Sequence, residues 1–478
     1  MTDFTPHVPQ RPLIWPEFVL DLQAFVTTLP NPVYVVGGAV RDAMLHRPTH
    51  DIDLITPQNA ISLSRKIANH YHGDVYVLDA ERDVGRAIIE IDGARMVVDV
   101  ARFRGSDLLA DLVDRDFTMN AMAVDLKGDL TFLIDPLGGA VDLGAKRIRR
   151  CSPASLASDP VRAWRAVRQS AQFGFRLETE TLRDVRAAVA STREASTERL
   201  RDELVRVLSL PRPTAALRVL DAVGLLSALL PDIGSHRGTE LWDGALTRVE
   251  HLTAIMNTIS YMRTDNTAAS FSYGMIAIQF DRYRRLLIGH LEAMWPNERP
   301  HRALLMLAAL LVDAVPAGQP GEWVDRVTAS LRLSNAERMR LTPLVEYVQL
   351  PLALADHSAR SIHRFWRQVG DAGVDLCLLA LATYLSAEGT ALKQGAWLVA
   401  VERIRVLLEA FYEKADQLIH PPPLVDGTVL MRELRLKGGP LIGELLEYLL
   451  EEQAVGTLQS TEASLEAARV YLANRQQF

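Results

Sequence analysis

The stretch VVGGAVRDAMLHRPTHDIDLI, residues 35–55, decides how the chain folds. An apolar, β-branched run ends in Gly37 and Gly38, a short helical segment carries Arg41 and Asp42, and a second apolar run holds Asp51 and Asp53 among Ile52, Leu54 and Ile55. In a strand, residues i and i+2 project from the same face, so Asp51 and Asp53 present two carboxylates side by side while Ile52 and Leu54 pack behind them. Adjacent carboxylates repel and are costly to desolvate unless a cation lies between them. Mg2+ suits such a pair, because it takes one or two carboxylates and keeps positions for phosphate oxygens. The strand–Gly-Gly–helix turn upstream makes a backbone N–H nest of the kind that accepts phosphate at a helix N-terminus. A lone D-x-D is ordinarily a solvated turn; coupled to the two glycines and Arg41, it reads as a phosphoryl- or nucleotidyl-transfer site.

Working outward, the pattern changes near residue 150. Before it, short β-branched runs alternate with turns, with period two in IIEID and VVDVA. After it, Ala, Leu and Arg recur at helical spacing, as in DPVRAWRAVRQSAQFGF (159–175) and ERLRDELVRVLSL. Pro and Gly mark boundaries at residues 211–213, 231–234, 315–322 and 420–427. The chain has 478 residues, too many for one ordinary core, and its 48% hydrophobic and 23% charged content describes a globular protein. A net charge of −7 announces no bulk positive field for nucleic acid, although the local run GAKRIRR (144–150) offers either a phosphate contact or a solvated linker. Two distant cysteines, Cys151 and Cys377, suit a reducing cytoplasm and give no disulfide or zinc framework. The first residues lack the charged and apolar regions of a signal peptide, and no run of about 18 apolar residues suggests a membrane span. The expectation is a cytoplasmic protein with no membrane partner.

Through these motifs the chain resembles the bacterial-type (class II) tRNA nucleotidyltransferases and poly(A) polymerases of the polymerase-β-like superfamily. GGAVRD followed by DIDL is similar to that family's head. In the family's order follow DRDFTMNAMAVDL (114–126), LIDPLGGAVDL (133–143), the segment 159–175, and ERLRDELVRVL (198–208). PPPLVDGTVLMRELRLKGGPLIGELLEYLLEEQAVG (421–456) is similar to the C-terminal segment of long bacterial members. The resemblance implies an α+β head, residues 1–148, with a mixed polymerase-β-like sheet and helices. An all-α neck (149–235), body (236–415) and tail (416–478) would follow.

It also implies roles. Gly38 and Arg41 would contact a triphosphate, and Asp51 and Asp53 would hold Mg2+. Asp99, whose strand sets it between Val98 and Val100, is the candidate third carboxylate, a solvated strand aspartate being the alternative. Arg115 would face phosphate or sugar, or else pair with Asp114 or Asp116. Asp159, Arg162, Arg165 and Arg168 lie at helical intervals of three. By spacing alone they also suit the wet face of an amphipathic helix. The resemblance makes Asp159 and Arg162 readers of the base edge, one accepting from an amino group and the other donating, with Arg165 and Arg168 serving phosphate or packing. Ser158 and Gln169 depart from the family's Glu and Phe, which points to altered base selection. Related long members carry an HD-type phosphohydrolase domain. Here only His251 and Asp313 match its ligands, Val312 and Thr383 replacing others, so the body reads as a vestigial scaffold with His251 an ordinary histidine. The expected activity is template-independent addition of CMP and AMP from CTP and ATP to the 3′ end of tRNA or another RNA. It covers CCA addition in whole or in part, with poly(A) synthesis and a non-catalytic RNA-binding relic as alternatives.

Overall fold

The computed structural model describes residues 5–91, 93–260, 270–316 and 318–475. The chain forms two compact units, Met1–Glu203 with Arg218–Leu229, and Leu204–Leu217 with Leu230–Phe478.

The first unit is built on a six-stranded mixed sheet. Its strands are β1 (Tyr34–Val36), β2 (Asp51–Thr56), β3 (Asp74–Asp79), β4 (Val84–Ile91), β5 (Ala94–Arg102) and β6 (Ala123–Asp125), in the order β3-β4-β5-β2-β1-β6. β2 and β5 run parallel, and the other neighbours are antiparallel. Helix α1 (Glu17–Thr27) precedes the sheet, α2 (Gly38–Leu45) joins β1 to β2, and α3 (Ala60–His70) follows β2. The strands form where β-branched residues cluster, and their alternation sets which side chains leave water. Val35, Ile52, Leu54, Val98 and Val100 are buried on one face, while Asp51 and Asp53 stay exposed on the other face of β2. Register then fixes the neighbours of Asp53: Val36 lies opposite on β1 and Asp99 on β5.

Helix α4 (Leu108–Val113) follows β5 and α5 (Gly139–Gly144) follows β6, and α6 (Val161–Phe173), α7 (Thr179–Ala187) and α8 (Thr197–Leu208) come after them. α6 is amphipathic, as its spacing predicts: Val161, Ala163, Trp164, Ala166 and Val167 are buried, and Gly174, in the left-handed region at φ 69°, ends it.

The second unit is helical in its described elements from Pro231 onward. Its apolar centre includes His301–Leu311 and Gly373–Glu388. An 18-residue window within Ala359–Ala391 has a mean hydropathy of 1.4, apolar enough for a membrane span by length and composition, contrary to the expectation that no stretch would. Since 78% of its apolar window is buried inside the fold, it reads as a core segment. The last three helices, Gly427–Leu434, Pro440–Ala454 and Thr461–Arg475, share a small core of their own around Leu430, Leu445, Leu449 and Ala468.

Candidate active site

Gly37 is the corner from which the site is built. It sits at φ 74° between β1 and α2, a conformation L side chains rarely adopt. A Cβ there would lie 3.0 Å from Asp53 Oδ2 and 3.1 Å from Arg115 Nη1. The absence of a side chain therefore lets a carboxylate and a guanidinium approach the start of α2, whose first-turn N–H groups have no intrahelical acceptor. At Gly38 an added Cβ would make only an ordinary contact with Arg41 Nη2, at 3.4 Å.

Around this corner lies a pocket of about 490 Å3 whose walls include Gly37, Gly38, Arg41, Asp51, Asp53, Asp99, Arg115, Asp159, Arg162, Arg165 and Arg168. The residues to which the resemblance gives metal, phosphate or base roles thus line one cavity, whereas Ser158, His251 and Asp313 do not. A second cleft, of about 1080 Å3, shares Asp53, Asp99, Arg104, Asp159 and Arg162 with it and adds Arg82 and Arg102.

The three carboxylates differ in their surroundings. Among the described residues neither Asp51 nor Asp53 makes a side-chain hydrogen bond or ion pair. Asp53 is reached by solvent at the pocket floor, yet enclosing protein pushes its pKa up by desolvation. Asp99 and Asp51 add to that rise, while Arg115 and Arg165 pull the other way. Two hard oxygen donors on one strand face, at least one of them resisting ionisation, fit a hard divalent cation such as Mg2+. Asp99 is committed elsewhere: it accepts from Arg86 Nε at 2.7 Å and Nη2 at 2.9 Å. Arg86 and Asp99 are paired residues on β4 and β5, so register creates this ion pair.

The arginines are likewise held. Arg41 donates to Asn120 at 2.7 Å and to Asp42 at 2.9 Å through both Nε and Nη2, and its guanidinium lies over the Phe173 ring, 4.6 Å from the centroid. Arg115 donates to the buried Asp111 at 3.0 and 2.9 Å, in place of the Asp114 or Asp116 pairing that the sequence allows. Arg165 pairs with the buried Asp116 at 3.2 Å. Burial opposes ionisation of Asp116, but Arg165, Asn120 and the Phe117 amide outweigh it and hold its pKa below the usual range. Arg168 donates to Glu203 at 2.6 Å and to Gln172. Arg162 donates to the carbonyls of Asp114 and Ser155 at 2.8 and 2.9 Å.

Asp159 stands two residues ahead of the first residue of α6, where helical spacing alone would have put it on the helix. It accepts from the Val161 amide at 3.2 Å and from both terminal nitrogens of Arg199, at 3.1 and 2.6 Å. Of the two departures, Gln169 is buried and accepts from Asn120 at 3.2 Å, and Ser158 bonds the Ser155 carbonyl. Gln169 thus belongs to a polar chain running through Asn120 to Arg41 and Asp116.

Sequence reasoning missed Arg199, Asp111, Asn120 and Phe173. Arg199 falls within ERLRDELVRVL, a segment similar to the family's neck helix in which the resemblance gives that arginine no role. In the second unit, His251 bonds the Tyr273 hydroxyl at 2.8 Å and Asp313 is held by Arg248 at 2.8 and 3.0 Å. Both residues are engaged in packing contacts.

Comparison with known proteins adds an independent line. Residues 33–149 match the family described as "Poly A polymerase head domain", and residues 174–236 match one described as "Probable RNA and SrmB- binding site of polymerase A". An A-adding tRNA nucleotidyltransferase of Deinococcus radiodurans is 30% identical over 450 residues, 89% of this chain and 92% of that protein. A CC-adding tRNA nucleotidyltransferase of Geobacter sulfurreducens is 38% identical over 219 residues, 46% of this chain and half the length of that enzyme. Among solved structures, that of a CCA-adding enzyme with ATP matches with a TM-score of 0.62 at 22% identity, covering 96% of each chain, a likeness of fold.

Proposed function

The chain belongs to the family of tRNA nucleotidyltransferases and poly(A) polymerases, and on that premise we propose that it adds CMP, AMP or both to the 3′ end of tRNA without a template, releasing pyrophosphate. The observation that carries this reading is the pair of unpartnered carboxylates, Asp51 and Asp53, set beside the glycine corner in an arginine-lined pocket. A non-catalytic relic has no reason to keep two repelling carboxylates exposed together. The tRNA version is favoured over poly(A) synthesis because the relatives above, one A-adding and one CC-adding, act on tRNA. CCA, CC and A addition all fall within the proposal, as does a cytoplasmic location.

In this reading Asp51 and Asp53 hold Mg2+, with Asp99 joining them if it leaves Arg86. Bound there, the metal would lower the pKa of the attacking 3′-hydroxyl and steady the departing pyrophosphate. Gly38 and the first turn of α2 cradle the triphosphate, with Arg41 and Arg115 beside it. Arg165 and Arg168 flank phosphate and brace α6, while Asp159 accepts from the amino group of cytosine or adenine and Arg162 supplies a donor. The RNA end reaches the carboxylates through the cleft bearing Arg82, Arg102 and Arg104, whose charge suits phosphodiesters. We assign these roles to a head (1–148) and to a neck (149–235) that also binds RNA, followed by a helical body (236–415) and tail (416–478). The test is direct: purified protein, Mg2+, each single NTP, and tRNA ending at the discriminator base, at C and at CC. Incorporation of C or A is expected, and equal use of all four nucleotides, or none, overturns the reading.

A further inference from the structure

The two residues read as base selectors are held by different means. Arg162 is fixed by main-chain carbonyls, at 2.8 and 2.9 Å, so the path of the backbone sets its place. Asp159 stands before α6, where its own segment offers it one amide at 3.2 Å and, farther off, Arg162 Nε, 3.9 Å from Oδ2. Its orientation is set from α8, where Arg199 clasps both carboxylate oxygens, at 3.1 and 2.6 Å. Arg199 lines the pocket and the adjoining cleft, and its side chain is 55% exposed.

We infer that Arg199 is a positioning residue for base selection: its planar fork fixes the Asp159 carboxylate so that a nucleobase edge meets it in one orientation. The inference rests on the proposed reading of Asp159 as a base acceptor. A carboxylate offers about four lone-pair sites; the fork uses one on each oxygen and the Val161 amide a second on Oδ1, so one on Oδ2 stays available to an exocyclic amino group. A free carboxylate facing the carbonyl of uracil or guanine turns aside and relieves the repulsion. A clasped one cannot turn, so the mismatch persists and the wrong base is rejected. An exposed ion pair adds little to stability, so its loss falls on selection and leaves the fold largely as it was. Lysine keeps the charge but loses the bidentate fork.

The experiment measures kcat/KM for CTP and ATP against UTP and GTP in the wild type, R199A, R199K, D159A and the R199A/D159A double variant. The preference for CTP or ATP should fall about tenfold in R199A and R199K, the scale of one compromised charged hydrogen bond, with Tm nearly unchanged. The double variant should match D159A, since a residue acting through Asp159 has no effect once Asp159 is gone. If D159A loses preference and R199A does not, Arg199 has no such role and Asp159 remains a reader. A preference unmoved in both variants overturns the reading of Asp159 itself, and with it this inference. Full preference in R199K shows that charge without the fork suffices, and a further fall in the double variant shows that Arg199 reads the base directly; either result overturns the positioning role. A wild type that incorporates nothing overturns the function on which all of this rests.

Discussion

Asp53 shows how function and stability pull apart at a single side chain. Its carboxyl is harder to ionise in the fold than in the unfolded chain, chiefly through desolvation and then through Asp99 and Asp51. With the folded pKa above the unfolded one, both states are protonated at low pH and nothing is lost. As pH rises from the ordinary carboxylate range through the raised folded value, ionisation costs stability, and the full cost is present above it. Asp53→Asn removes that cost, so its Tm should exceed that of the wild type at pH 7 and converge with it near pH 3–4, near the ordinary carboxylate pKa. The same change should lower nucleotide incorporation about 10³-fold or more. Mg2+ should raise the Tm of the wild type and leave Asp53→Asn unmoved, since a ligand stabilises only the form that binds it. A Tm for Asp53→Asn equal to or below the wild type's across this range would contradict the account. Asp51 and Asp53 were legible in the sequence because i, i+2 spacing in a strand needs no tertiary information. Arg86 was not legible as the partner of Asp99, since that pairing depends on how β4 and β5 are aligned.

At the scale of elements, the β1–α2 corner depends on Gly37 more than on Gly38, although the sequence reading assigned the phosphate contact to Gly38. Gly37→Ala forces a side chain into a positive φ, at a cost of about 1–3 kcal/mol, and pushes Asp53 and Arg115 apart. Gly38→Ala adds only an ordinary contact with Arg41. Gly37→Ala should therefore lose about 10² in kcat and several degrees in Tm, while Gly38→Ala stays within about tenfold of wild type. Steady-state kinetics and thermal melts of the two variants check this, and equal losses would remove the distinction. The strands and α6 could be read from periodicity because burial imposes a period of two or 3.6 directly on side-chain polarity. The supports of the site could not. Arg199 reaches Asp159 across 40 residues and Asn120 reaches Gln169 across 49. Such pairs leave no periodic trace, and each residue taken alone looks like an ordinary polar surface position or helix former.

At the scale of the whole molecule, the second unit closes on a seam of charge. Arg360, Arg364 and Arg367, on the helix Ala359–Val369, face Glu451, Glu452 and Glu447 on Pro440–Ala454. Glu451 accepts from Arg364 at 2.7 and 2.9 Å and also from Arg360, and Glu452 accepts from Arg360 at 2.7 Å. The last helices have their own small core, so breaking the seam should loosen their attachment without melting them. One exposed pair is worth about 0–1 kcal/mol, but here two arginines share two carboxylates that are largely shielded from water, which makes a network. Replacing both, in Glu451→Ala/Glu452→Ala, should cost about 1–2 kcal/mol of local stability, since the arginines on the facing helix lose their partners. Limited proteolysis reads this at residues 420–427, HPPPLVDG, where the chain crosses into the last helices. Cleavage there should quicken roughly five- to thirtyfold, the population change that such an energy implies. High salt should bring the wild type toward the variant, because screening weakens the same pairs. The Mg2+-dependent rise in Tm should persist in the variant, since the carboxylates of β2 belong to the other unit. Cleavage at the wild-type rate in low salt would show that the apolar contacts of these helices hold them without the seam.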